Sequence, residues 1–201
     1  YAFAIGQVFA AWAAEDPQQA LAQAATLPSN QRSQAYAAIA GRWGAKDPEA
    51  ALAWASSFPE GRDKTQIMSA VVSAWAESDP VAAADYAVKM QPGSLRNGAL
   101  SAVAVKWADQ NPIAAADWAR ALPAGAASRQ ALASVCRQWS TVDPLAAMNY
   151  AANLPAAARK GEIIGQVLGQ WMRLDSPAAI AYVQTLPPGN ERNQAIVRSE
   201  E

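Results

Sequence analysis

The sequence predicts an all-α fold, an α-α superhelix (solenoid) of about six stacked helix-turn-helix repeats. Three markers predict it. Six of the eight tryptophans recur at steps of 31 or 32 residues, an Asp-Pro or a close relative follows each of them, and a second proline comes about eleven residues later. Because the markers keep the same order through six units, the chain is a tandem array. These six residues, the ladder tryptophans, are Trp12, Trp43, Trp75, Trp107, Trp139 and Trp171.

The markers keep one register through the chain, so we expect residues 1–201 to form a single solenoid segment. Residues 1–14 form a half repeat, and repeats one to six start near 16, 47, 79, 111, 143 and 175, the last of them truncated. Neither end shows the polar cap that closes a stable solenoid, so we expect a fragment of a longer chain.

Each repeat opens with a capped helix, here termed helix A. Asp or Asn is a preferred N-cap, and proline suits the first helical position because it has no amide hydrogen to leave unbonded. We expect helix A to run about ten residues, as from Pro48 to Ser57, and to stop before the second proline, which disfavours helix in the residue it follows. The motif occurs at Asp16-Pro17, Asp47-Pro48, Asp79-Pro80, Asn111-Pro112, Asp143-Pro144 and Asp175-Ser176-Pro177.

A second helix, helix B, follows a short turn such as Glu60-Gly61 and ends just past the ladder tryptophan. Its apolar residues recur with helical spacing, as at Ile67, Met68, Val71 and Trp75. No segment alternates with the period of a strand. The predicted starts of helix B lie near Arg32, Lys64, Arg96, Ser128 and Lys160.

Aromatic residues recur on helix A above a row of alanines. We expect these rings to pack between adjacent hairpins, and a stacking surface for sugars or bases is the alternative. The aromatic column holds Trp54, Tyr86, Trp118, Tyr150 and Tyr182, with Gln23 at the equivalent position of repeat one. The alanines are Ala20, Ala51, Ala83, Ala115 and Ala147.

A basic residue recurs in the first turn of helix B. A cation there opposes the helix dipole, so we expect it to pair with acids such as Glu60 or Asp63, and an anion-binding row is the alternative. The bases are Arg32, Lys64, Arg96, Lys160, the displaced Arg129, and Arg192.

Composition excludes several functional classes. With 16 basic and 17 acidic residues the net charge is −1, which favours neither nucleic acid nor an anionic membrane as partner. No apolar run is long enough to cross a bilayer, so we expect no membrane insertion. Histidine is absent, and the single cysteine, Cys136, stands in a predicted core position. We therefore expect no enzyme activity, no cofactor and no metal site, and the sequence indicates no compartment.

The variable positions of helix A provide a candidate binding face. They lie five and nine residues after the first proline, on one side of the helix, and include Asp85, Lys89, Asp117, Asn149 and Asn153. An ordinary solvated surface, with an ion pair between Asp85 and Lys89, is the alternative. The equivalent positions of repeat two are Ala53 and Ser57, and Ala121 follows Asp117.

Unsealed apolar ends would favour self-association. We expect Ile5, Val8, Phe9 and Trp12 at one end to be partly uncovered, and Tyr182, Leu186 and Ile196 at the other. The two faces are complementary, so the contact would be end to end rather than two-fold.

In general plan the array resembles the tetratricopeptide and Sel1-like repeat families. It departs from the tetratricopeptide pattern in its period of 32 rather than 34 residues and in lacking the Trp-Leu-Gly…Tyr motif. The resemblance implies an α-solenoid that binds partners. We therefore predict a non-catalytic scaffold that binds a protein or peptide, from a bacterial source. The alternatives are a helical accessory domain of a larger, possibly cell-envelope, enzyme, and a self-associating structural repeat protein.

Overall fold

The computed structural model describes residues 2–155 and 160–185, which hold twelve α-helices and no strand. The predicted all-α class is confirmed for these residues, and contacts between neighbouring helices are compatible with an α-α superhelix. Odd-numbered helices are helices B and even-numbered helices are helices A. They are α1 (Ala2–Glu15), α2 (Pro17–Ala24), α3 (Ser29–Lys46), α4 (Pro48–Ser56), α5 (Arg62–Ser78), α6 (Pro80–Lys89), α7 (Ser94–Gln110), α8 (Pro112–Ala121), α9 (Ala126–Trp139), α10 (Pro144–Ala152), α11 (Lys160–Leu174) and α12 (Ser176–Thr185).

The chain divides into two compact units, residues 1–106 and 107–201, with the division inside α7. In the first unit the helices B stack directly, α1 on α3 and α3 on α5, while α2, α4 and α6 pack on their flanks. In the second unit α8 and α10 pack against α9, and α11 contacts α9, α10 and α12.

A single residue joins helix B to the following helix A at five of the six corners, and four residues, 140–143, join α9 to α10. At all six corners the backbone N–H of the Asp or Asn donates to the carbonyl of the ladder tryptophan four residues earlier, at 2.8–2.9 Å. Its side-chain Oδ1 accepts from the amide three residues later, at 2.9–3.0 Å. The predicted capping is therefore confirmed, and the same residue also closes the preceding helix.

Small residues let the helices approach closely. The five predicted helix A alanines are fully buried, as are Val71 and Val167 of the helix B stripe. At Gly44 of α3 an added Cβ would lie 2.9 Å from the Cα of Val71 in α5. The stacking of α3 on α5 therefore depends on a missing side chain.

Each aromatic residue of helix A packs on the ladder tryptophan across the corner, so packing of the column between hairpins is confirmed. The ring centroids lie 5.3–5.9 Å apart in five pairs, Trp43–Trp54, Trp75–Tyr86, Trp107–Trp118, Trp139–Tyr150 and Trp171–Tyr182. Among the ladder tryptophans only Trp139 and Trp171 are buried. The other four are half-buried, because an indole is too large to be covered completely by neighbours that are mostly alanine.

The expectation that Phe9 is uncovered is wrong. Phe9 is only 7% exposed and belongs to a core cluster with Ala13, Ala20 and Ile39, whereas Val8 is 61% exposed. Ile5 and Trp12 are half-buried. Leu186, Arg192, Ala195 and Ile196, with the last predicted helix B, lie outside the described residues. Among the helices that are described, none is long and apolar enough to cross a membrane.

Candidate functional site

The predicted binding face consists of exposed residues on three helices A. Asp85 and Lys89 lie on α6 in the first unit. Asp117 on α8, Asn149 on α10 and Asn153, the C-cap of α10, lie in the second. In the described part of the chain Asp85 and Lys89 form no ion pair, so that element of the solvated-surface interpretation is wrong.

Asp117 links α8 to α10. The hydroxyl of Tyr150 donates to Asp117 Oδ1 at 3.2 Å, and Arg120 Nη1 lies 3.5 Å from the same oxygen. Burial is the main cause that raises the pKa of Tyr150, so its hydroxyl keeps the proton that it donates. Asn149 precedes this tyrosine, and Asn153 Nδ2 donates to the Asn149 carbonyl at 2.8 Å. The structure thus joins Asp117 to the residue beside Asn149, while Asn153 is engaged within its own helix.

A cleft of about 560 Å³ lies where α8 ends and α9 begins, here termed the repeat-four cleft. Charged side chains of Asp117, Arg120 and Arg129 border it, and the buried Leu122 and Leu132 belong to its apolar lining. Pro155, from the turn after α10, closes one side. The complete lining is Asp117, Arg120, Ala121, Leu122, Ala124, Gly125, Ser128, Arg129, Leu132 and Pro155.

The cleft lies where repeat four departs from the base pattern. Ser128 stands eleven residues before its ladder tryptophan, where the other helices B have Arg32, Lys64, Arg96 and Lys160. Its Oγ donates to the carbonyl of Ala119 in the last turn of α8, at 2.8 Å. A serine is too short to occupy the space that a lysine or arginine stem covers, so this space contributes to the cleft.

In repeat two the equivalent position is Lys64, which forms an ion pair. Lys64 Nζ contacts Glu60 Oε1 at 2.6 Å, and only 14% of the lysine side chain is exposed. The predicted pairing with Glu60 is confirmed here. Asp63 accepts a hydrogen bond from Ser33 Oγ at 3.1 Å, so the expected pairing of a base with Asp63 is not observed.

Sequence reasoning missed Arg120, Leu122, Leu132 and Pro155 as site residues. Leu122 and Pro155 belong to the second-proline marker, and Leu132 belongs to the core stripe of helix B. The structural role of each residue explains its place in the sequence, so the pattern does not reveal its place in the cleft. The available signal was the single gap in the base pattern at Ser128.

The described residues contain no group of three or more carboxylate or thiol side chains that could hold a metal ion. Cys136 is fully buried, and burial raises its pKa to about 12. A thiol in this environment stays protonated and cannot reach a substrate.

Comparison with known proteins finds no match, since no family model, no curated protein and no solved structure is significantly similar to the chain.

Proposed function

We propose that the chain is a non-catalytic scaffold that binds a protein or peptide, with the repeat-four cleft as the main contact. One observation carries this proposal: the ends of α8 and α9 border a cleft whose lining is both apolar and charged. The resemblance in plan to the tetratricopeptide and Sel1-like families, whose members bind partners, supports it.

The dimensions of the cleft suit amino-acid side chains. Its 560 Å³ falls within the range of about 300–1,000 Å³ that is typical of ligand pockets. Ala121, Ala124 and Pro155 offer exposed apolar surface, and burying a partner's apolar side chain there gains about 25 cal/mol per Å². Arg120 and Arg129 at the border can donate to carbonyl or carboxylate oxygens of the same partner.

The proposal assigns no reaction to the chain. The one thiol is buried with its pKa raised to about 12, and the sequence has no histidine. The carboxylate nearest the cleft, Asp117, is already engaged by Tyr150 and Arg120.

Panning of a random-peptide phage library against the intact chain tests the proposal. We expect enriched peptides that bind with dissociation constants in the micromolar range, about −8 kcal/mol. Ala121→Trp places a large side chain at the exposed border of the cleft and should abolish binding. Ala53→Trp makes the same change at an exposed site on α4, away from the cleft, and should leave binding intact.

Two results would contradict the proposal. One is the failure of the library to yield any peptide that binds the folded chain. The other is an equal effect of the two tryptophan variants, which would remove the repeat-four cleft from the contact.

A further inference from the structure

A second groove lies between α9 and α11, here termed the helix B groove. Its volume is about 350 Å³, and its polar lining includes Arg129, Arg137, Ser134, Glu162 and Gln166. Arg129 lines both this groove and the repeat-four cleft, so the two depressions adjoin at one side chain.

The two arginines distinguish α9 from the other helices B. Both are exposed, and within residues 2–155 and 160–185 neither forms an ion pair. They stand ten and two residues before the ladder tryptophan, on one side of the helix. The first position is occupied in repeats one, two, three and five by Ser33, Thr65, Asn97 and Gly161, and the second by Gly41, Ser73, Val105 and Gly169. The packing of the repeat therefore requires no base at either position.

Gln166 on α11 contributes an unsatisfied acceptor to the groove. Its Oε1 is buried and has no hydrogen-bond partner among the described residues. The same position, five residues before the ladder tryptophan, is Ala38, Ala70 and Ala102 in repeats one to three. A buried carbonyl oxygen without a donor is destabilising, and a ligand N–H would relieve this defect once the Gln166 side chain turns its oxygen toward the groove that it lines.

We propose that the helix B groove binds an acidic peptide segment of a partner protein. Carboxylates of the segment pair with Arg129 and Arg137, and a peptide N–H donates to Gln166 Oε1. An apolar side chain of the same segment enters the repeat-four cleft beside Arg129. This inference rests on the proposed function and specifies the chemistry of the partner.

A peptide fits this groove better than a polyanion. Glu162 lies in the lining together with the two arginines, and a closely spaced row of phosphates would meet its negative charge. A peptide can place its carboxylates at the arginines and a neutral residue near Glu162. Guanidinium groups pair with carboxylates through two parallel hydrogen bonds, which also fixes the orientation of the segment.

Fluorescence anisotropy with three labelled hexapeptides tests the inference on the intact chain. The probes alternate leucine with glutamate, with glutamine or with lysine. We expect the glutamate peptide to bind at least about tenfold more tightly than the other two, and added salt to weaken it.

The double variant R129A/R137A should bind the glutamate peptide at least about tenfold more weakly. The matched control R42A/R62A removes two exposed arginines from α3 and α5 and should change its affinity less than twofold. Equal binding of the glutamate and glutamine peptides, or no binding of either, would overturn the inference. So would an equal loss in the two arginine pairs, or tighter binding of an oligodeoxynucleotide than of the glutamate peptide.

Gln166→Met separates a ligand-binding role from a structural one. Methionine is similar in length and removes the unsatisfied oxygen, so we expect a higher melting temperature together with several-fold weaker binding of the glutamate peptide. Unchanged affinity or a lower melting temperature would contradict the role given to Gln166. If library panning instead yields neutral peptides that are insensitive to R129A/R137A, this inference fails and the proposed function stands; if panning yields none, both fail.

Discussion

At the residue scale, each corner of the array depends on a single cap. The residue donates its backbone N–H to the carbonyl of the ladder tryptophan and accepts an amide from the next helix, so at five of the six corners the chain reverses without a longer loop. Asn111 replaces aspartate at one corner and accepts at 3.0 Å, as Asp79 does. The side-chain oxygen, rather than the charge, is therefore the common requirement.

Asp79→Ala should lower the free energy of unfolding by about 1 kcal/mol, because the amide of Ala82 loses its acceptor. Urea denaturation followed by circular dichroism measures this change. Asp79→Asn is the matched control and should lose only a few tenths of a kcal/mol, since Asn and Asp cap about equally well. A full loss in the asparagine variant would show that charge dominates the corner.

Cys136 should resist thiol reagents in the native state. Burial raises its pKa from 9.0 to about 12, so at pH 8 almost no thiolate forms and the side chain is inaccessible. An aromatic disulfide reagent at pH 8 should react only after denaturant is added. Labelling of the native chain at the rate of a free cysteine would contradict the burial of this residue.

The same shift has a consequence for stability. The unfolded chain releases the thiol proton near pH 9.0 and the folded chain only near pH 12, so this contribution to stability is complete below pH 9.0 and lost as the pH rises toward 12. Cys136→Ala should lack this alkaline loss, and urea titrations at pH 8 and pH 10 compare the two chains. An equal alkaline loss in the alanine variant would assign it to other groups.

At the element scale, stability comes from close contact between helices that are individually short. Two glycines of α3 distinguish the effect of helix-helix packing from that of intrinsic helix propensity. An added Cβ at Gly44 would meet the Val71 backbone at 2.9 Å, whereas at Gly41 it would meet nothing within 4 Å.

Gly44→Ala should therefore destabilise the chain by about 1–3 kcal/mol, because the α5 backbone must move away. Gly41→Ala should instead stabilise it by about 0.5–1 kcal/mol through helix propensity alone. Thermal unfolding of both variants gives the comparison. The same sign of change in both would mean that α3 and α5 do not approach as closely as described.

The aromatic pairs across the corners provide a second element-scale test. Trp139 is 8% exposed and packs on Tyr150, with ring centroids 5.5 Å apart. Trp139→Ala should cost about 3–5 kcal/mol, and hydrogen exchange should increase mainly in α9 and α10. Trp107→Ala removes a half-buried ring and should cost less. An equal or larger loss for Trp107 would contradict the difference in burial.

At the scale of the whole molecule, the sequence predicts what the repeat enforces. The tryptophan spacing, the caps and the helix A alanines recur in successive repeats. Because chance does not produce such recurrence, these features predict the helices that the structure describes. Helix B starts two or three residues earlier than predicted in repeats one to four, at Ser29, Arg62, Ser94 and Ala126, because the turn after the second proline is shorter than its composition suggested.

The candidate site was less predictable because it depends on space rather than on residue type. Asp117 was identified from its variable position, and its contact with Tyr150 required the placement of α10, whereas Arg120 reaches it within α8. The cleft arises partly from a side chain that is short, Ser128, and the sequence pattern shows that only as one missing base. The proposed binding site therefore depends on differences between repeats rather than on the residues that recur.

In the proposed function, partner binding is concentrated on repeat four and its contact with α11. Nuclear magnetic resonance of the ¹⁵N-labelled chain, titrated with a peptide selected by panning, tests it most directly. We predict amide shift changes at the end of α8, along α9 and on the facing side of α11, and their loss in R129A/R137A. Changes confined to α1–α6, or spread evenly over all repeats, would contradict the claim.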